Sequence, residues 1–171
     1  MDEAPQIIKD YLFYMQTVKG KSQKTVDEYY IDLRTFFRFI KLQRGLVPND
    51  SEFENISISD VDIELVKTVT LNDAYEFMNY IQRERKNQNV TRARKCSSLK
   101  GYFNYLATKK CVLDSNPVEQ LEVPKKKKSL PKYLTLEQSL ELLNAVDGDY
   151  KERDYCILTL FLNCGLRVSE M

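Results

Sequence analysis

Ser22-Gln23-Lys24-Thr25-Val26-Asp27-Glu28-Tyr29-Tyr30-Ile31-Asp32-Leu33-Arg34-Thr35-Phe36-Phe37-Arg38-Phe39-Ile40 is the stretch that decides the fold. Val26, Tyr29, Tyr30, Leu33, Phe36, Phe37 and Ile40 recur every three or four residues, the period of a helix with one apolar face. Gly45 and Pro48 close it. Upstream, Ile7, Ile8, Tyr11, Leu12 and Met15 mark a first helix that Gly20 ends. Downstream, Thr70 with Asp73 is a helix-start pair, and Leu71, Ala74, Tyr75, Met78 and Ile81 follow it. Asn87-Gln88-Asn89 reads as a turn. A fourth helix then runs from about Thr91 to Thr108, with Ala93, Cys96, Leu99, Phe103 and Leu106 on one side, and Asn116-Pro117 suits the start of a short fifth. The aromatic residues of these helices read as core, because each ring buries a large apolar area. The fold class expected is all-α.

Residues 46–69 give no single pattern. Asn49-Asp50-Ser51 reads as a loop, Ile56-Ser57-Ile58-Ser59 suits extended chain, and Val61, Leu65 and Val66 suit a short helix. Residues 121–132 read as a linker, with Pro124 and Pro131 around Lys125, Lys126, Lys127 and Lys128, whose mutual repulsion favours an extended chain. A second segment opens at Thr135, with Gln138 three residues on as a capping box. Its first helix carries Leu136, Leu140, Leu143 and Val146. Another, from about Lys151 to Asn163, leads into Gly165-Leu166-Arg167-Val168-Ser169-Glu170.

The net charge of +1 conceals an asymmetry: residues 1–80 carry −5, residues 81–132 carry +10, and residues 133–171 carry −4. A basic middle between acidic ends points to a polyanion. No apolar run reaches the roughly 18 residues a membrane span needs, and the N-terminus lacks the basic and apolar regions of a signal peptide. The cytoplasm is the expected location. Cys96, Cys111, Cys156 and Cys164 form no C-x-x-C pair and there is no His, so no metal, no cofactor and no Ser-His-Asp or Cys-His chemistry is expected.

Three groups of residues suit DNA. Thr91, Arg94, Lys95 and Ser98 recur at helical spacing as a cationic and hydroxyl stripe, expected opposite the Leu99-Phe103 side, with Arg92 and Lys100 beside it. Lys21, Ser22, Gln23, Lys24 and Thr25 form a phosphate-binding helix N-terminus. The four lysines 125–128 suit a nuclear-localisation-like run or a soluble linker, and clustered lysine also suits tracking of a DNA backbone. Arg167, just past a Gly turn, has fixed donors that match phosphate oxygens in pairs. A surface pairing of Arg167 with Glu170 is the plainer alternative.

These residues together resemble the tyrosine recombinase (phage integrase) family, nearest to its Xer-like members. The resemblance rests on Ser22-x-x-Thr25-x-x-x-Tyr29-x-x-x-Leu33-x-x-Phe36, Leu99-x-x-x-Phe103-x-x-Leu106, Asn116-Pro117, Leu130-Pro131-x-x-Leu134-Thr135 and Gly165-Leu166-Arg167-Val168-Ser169-Glu170. It implies a SAM-like helical core-binding domain of four to five helices over residues 1–120. A basic interdomain linker over 121–132 and the start of a truncated catalytic domain over 133–171 would follow. Residues 46–69 fit the pattern poorly and read as an insertion. The resemblance implies that Arg167 grips the scissile phosphate and that Glu170 supports it. The nucleophilic Tyr and the other catalytic groups are expected C-terminal to this stretch, so the fragment alone is expected to be inactive. Double-stranded DNA and further recombinase protomers are the partners implied, with no membrane and no metal. Without the resemblance, the basic helix and linker also suit a non-catalytic helical DNA-binding or regulatory module.

Overall fold

A computed structural model describes residues 4–48, 50–122 and 132–171, and the four lysines 125–128 lie outside them. The chain divides into two compact units, residues 1–127 and 128–171. The first unit holds α1 (Gln6–Thr17), α2 (Gln23–Gln43), α3 (Ile63–Lys67), α4 (Leu71–Arg83) and α5 (Asn89–Thr108). The second holds α6 (Leu136–Asn144) and α7 (Lys151–Cys164). Two 3-10 turns, Phe53–Asn55 and Val168–Glu170, complete the regular structure, and no strand occurs among the described residues.

The helix ends follow local chemistry. The Ser22 side chain accepts from the Thr25 N–H and starts α2. Gly45 ends it at a φ of 63°, where the Gly45 N–H reaches the Leu42 carbonyl and the Leu46 N–H the Lys41 carbonyl. That is a Schellman closure, which needs the left-handed residue. Thr70 and Asp73 exchange hydrogen bonds of 3.2 and 2.7 Å across the first turn of α4. Thr135 and Gln138 do the same for α6.

The core lies between α2 and α5, with α1 and α4 packed on this pair. Phe36 stands edge-on to Phe77 at 5.2 Å and to Phe37 at 5.3 Å, the arrangement that aromatic quadrupoles favour. Tyr30, Phe39, Tyr102, Phe103 and Tyr105 are buried in the same cluster. Tyr11 of α1 crosses to α5 at a glycine: a Cβ at Gly101 would stand 2.7 Å from the Tyr11 hydroxyl.

Residues 46–69 form part of this core. Ile56, Ile58, Val61, Val66 and Val69 are buried, while Ser57 and Ser59 face solvent. The segment is also tied to α2 by long cations. Arg38 Nε donates to the Ile56 carbonyl at 2.9 Å and its Nη1 to Glu54 at 2.8 Å. Lys41 Nζ reaches the Ser57 carbonyl at 2.9 Å and Asp60 at 2.7 Å. α3 starts where Asp62 accepts from the Leu65 N–H.

Two expected elements differ. Asn116-Pro117 opens a turn, not a helix. The Asn116 carboxamide oxygen accepts from the Val118 N–H at 3.0 Å, and Val118 and Leu121 plug the core. An Asx turn satisfies the backbone that a helix would otherwise have used. Asn89, read as part of a turn, is instead the first residue of α5, because Lys86 turns the chain earlier, at a φ of 51°.

The second unit is thinner. Leu136, Leu140, Tyr150 and Tyr155 are exposed, and neither α6 nor α7 has a buried residue. Two helices bury too little apolar surface to make a core by themselves.

Gly101→Ala should destabilise the first unit by about 1–3 kcal/mol, the cost of overpacking a filled site, as read by urea unfolding. Stability should also fall on acidification. The Lys41 ammonium hydrogen-bonded to Asp60, and the Arg85 guanidinium to Glu54, hold those carboxyls below their ordinary values of 3.8 and 4.5. Groups depressed in the folded state stabilise it above those values, and the contribution drains away as the pH drops below them. Asp60→Asn should flatten that part of the pH profile.

Candidate nucleic-acid interface

α5 carries Arg92, Arg94 and Lys95 in its first half and Lys100 just beyond its middle, and the helix turn decides which of them meet solvent. Lys95 is 5 % exposed and Ser98 is fully buried. Both face Asp32 of α2, whose side chain is sealed from solvent. Asp32 accepts from Lys95 Nζ at 2.9 Å, from Ser98 Oγ at 2.7 Å and from Arg94 Nη1 at 2.6 Å. Arg94 also meets the Glu28 carboxylate at 3.0 Å and the Glu28 carbonyl at 3.1 Å. Lys95 and Ser98 are therefore internal struts between α2 and α5, which corrects their expected place on an open stripe. Spacing of three and four identifies a shared face but not its direction, and this face adjoins Leu99 and Tyr102. A signal was available in α2. Asp32 falls between Tyr29 and Phe36 at helical spacing, inside the apolar arc, where a carboxylate needs a cation.

The open face of α5 is a different one. Ser97, Asn104 and Thr108 are exposed, Gly101 lies between them, and Arg94 and Lys100 flank the strip half-exposed. Thr91 and Arg92 are also half-exposed. Arg92 Nη1 makes only a 3.4 Å contact to Asn89, and its buried Nε has no partner. At the start of α2, Lys21, Ser22 and Lys24 are exposed and Thr25 is half-exposed, with Ser22 Oγ 3.0 Å from Thr25 Oγ1. The first-turn N–H groups and the helix dipole there favour an anion. Arg34, which the sequence pattern did not single out, lies over the Tyr30 ring at 5.4 Å.

In the second unit, Gly165 closes α7 at a φ of 63° and turns the chain into Arg167. The Arg167 N–H donates to Glu170 at 2.7 Å and its Nη1 to the other carboxylate oxygen at 3.1 Å. The Arg167 side chain is 82 % exposed. An exposed pair of this kind contributes little stability, so the guanidinium is positioned at small cost and keeps donors for another anion. Burial keeps the Tyr11 and Tyr102 hydroxyls protonated far above neutral pH, which disarms both as nucleophiles.

Removing the buried carboxylate should be severe. Asp32→Asn leaves Lys95 as an uncompensated internal charge and should cost about 3–5 kcal/mol in urea unfolding. Glu28→Gln, at the solvent edge of the same cluster, should cost at most about 1 kcal/mol.

Comparison with known proteins agrees with this architecture. Residues 8–110 match the family model for phage integrase, N-terminal SAM-like domain. The tyrosine recombinase XerC of Caldanaerobacter subterraneus subsp. tengcongensis is 51 % identical over 98 % of this chain and 47 % of its own length. A tyrosine recombinase of Pseudothermotoga lettingae is 30 % identical over 97 % of this chain and 51 % of its own. The tyrosine recombinase XerD of Listeria innocua is 30 % identical over 96 % and 50 %. The chain thus spans about half the length of the curated relatives it matches, and no solved structure matches it significantly. A five-helix first unit matched over nearly all its helices, with 51 % identity over 98 % of the chain, makes the chain a member of the phage integrase family of tyrosine recombinases, in which residues 8–110 are the N-terminal SAM-like domain.

Proposed function

We propose that this chain is the DNA-gripping half of a site-specific tyrosine recombinase. The observation that carries the reading is the 51 % identity to a tyrosine recombinase, which runs through both units. The grip comes from groups that solvent reaches: Lys21, Ser22, Lys24 and Thr25 at the N-terminus of α2, and Thr91, Arg92 and Lys100 on α5. Lysines and hydroxyls there contact phosphates and set the register of the duplex. Arg94, Lys95 and Ser98 act through Asp32, by fixing how α5 lies on α2. Lys125–Lys128 add a sequence-independent attraction to the backbone.

In the full-length protein, a Tyr hydroxyl attacks a DNA phosphate, the P–O5′ bond breaks and the 5′-hydroxyl leaves, and the resulting 3′-phosphotyrosyl link is resolved when the 5′-hydroxyl of a second strand attacks it and releases the Tyr. Arg167 pairs with the non-bridging oxygens, where charge grows in the transition state. Glu170 keeps Arg167 in place by accepting from its backbone N–H and from Nη1 of its guanidinium. No metal or nucleotide is required, further copies of the protein complete the assembly, and the reaction takes place in the cytoplasm. No described helix is long and apolar enough to cross a membrane. Residues 1–171 contain Arg167 but no His, and by themselves they bind without cutting.

Fluorescence anisotropy with a labelled duplex should show affinity falling steeply with salt, and Lys24→Ala should make the log–log slope shallower by about 1. Incubation of the 171-residue chain with a nicked suicide duplex should give no covalent adduct; a protein–DNA band that survives denaturation would refute the division of labour. In the full-length protein, Arg167→Ala should slow cleavage by roughly 100-fold or more with little change in duplex affinity.

A further inference from the structure

The open strip of α5 forms one wall of a groove of about 340 Å³, with α1 and the start of α2 on the other side. We propose that this groove seats a backbone phosphate of duplex DNA, held by Lys19, Lys21 and Lys109 with Ser97 and Asn104 as neutral partners. The inference rests on the duplex-DNA reading above and extends it from the N-terminus of α2, which supplies Lys21, to Lys19 and Lys109.

Charge carries the assignment. The groove is lined by three lysines and no carboxylate, whereas several other cations of the unit are paired with acids. Lys110, the next residue, is paired with Asp10, Lys67 with Glu64, and Lys41 with Asp60. Among the described residues no carboxylate bonds Lys19, Lys21 or Lys109. Lys19 is held instead above the Tyr14 ring at 5.9 Å, a contact that orients the ammonium without cancelling its charge.

The floor points the same way. Tyr11 lines the groove and is 1 % exposed, yet its hydroxyl has no hydrogen-bond partner. A buried hydroxyl left unpaired is costly, and it leaves an unused polar group at the floor of the groove. Gly101 has no side chain to block that approach. Ser97, Gly101 and Asn104, spaced four and three apart, present a low polar surface along which a DNA strand can run.

The test is anisotropy of a labelled duplex against the 171-residue chain across a salt series. The double variant Lys19→Ala/Lys109→Ala should make the log–log slope shallower by about 1, the one seated phosphate losing the ammonium groups that neutralise it. Lys67→Ala, the same charge change outside the groove, should leave the slope unchanged. Asn104→Asp, nearly isosteric at an exposed position, should weaken binding roughly fivefold or more by placing a carboxylate beside the phosphate. Circular dichroism of each variant checks the fold. If the wild type binds and either the double variant keeps its slope or Asn104→Asp keeps its affinity, the phosphate seat is overturned and the DNA reading stands. A wild type with no salt-dependent duplex affinity overturns both.

Discussion

One carboxylate fixes the first unit. Asp32 sits without solvent between α2 and α5 and receives Arg94, Lys95 and Ser98 together. An apolar interface tolerates sliding, because the hydrophobic effect has no direction. Three hydrogen bonds to one buried group do not, since a shift of one turn would strand the charge. The apolar stripe of α2 supplies the driving force, and Asp32 selects the register. That register sets where the start of α2 lies relative to the open strip of α5, and so the shape of the exposed surface the two helices share.

The other half of α2 repeats the device toward different neighbours. Arg38 and Lys41 lie along buried surface and carry their charged ends to the backbone and acids of residues 54–60. Arg44 reaches Asp73 at 2.9 Å and the Thr68 carbonyl at 3.0 Å, linking the end of α2 to the cap of α4. Long side chains of this kind pack through their stems and bond through their tips. The irregular segment 46–69 is held by these cations as well as by its buried Ile and Val residues.

Most of the fold was legible because apolar periodicity and caps are local signals. The stripe of α2, the Thr70–Asp73 and Thr135–Gln138 boxes and the Gly45 and Gly165 stops all appear where spacing placed them. The direction of the polar face of α5 was not legible. Lys95 and Ser98 are buried because a carboxylate 63 and 66 residues away needs them, and no window along α5 contains that acid. Segment 46–69 was legible in its pieces, with Leu65 and Val66 on the short helix α3 and Ile56 extended, but not in its anchoring, as its partners lie on α2. Asn116 failed for a local reason: its carboxamide competes for the backbone that a helix would use. Arg167 was read from its motif, and its pairing with Glu170 gives it an orientation that spacing alone only allowed.

Gly101 and Tyr11 share one volume, and this links two distant positions in evolution. With the hydroxyl present, any side chain at 101 meets oxygen at 2.7 Å; without it, the nearest ring carbon stands at 3.8 Å, an ordinary contact. Alanine at 101 therefore becomes acceptable only after phenylalanine at 11. Tyr-Gly and Phe-Ala are the compatible pairs, and the order of mutation between them is fixed, since Phe-Gly leaves a small void whereas Tyr-Ala creates a clash. Relatives that have exchanged one pair for the other should have passed through Phe-Gly.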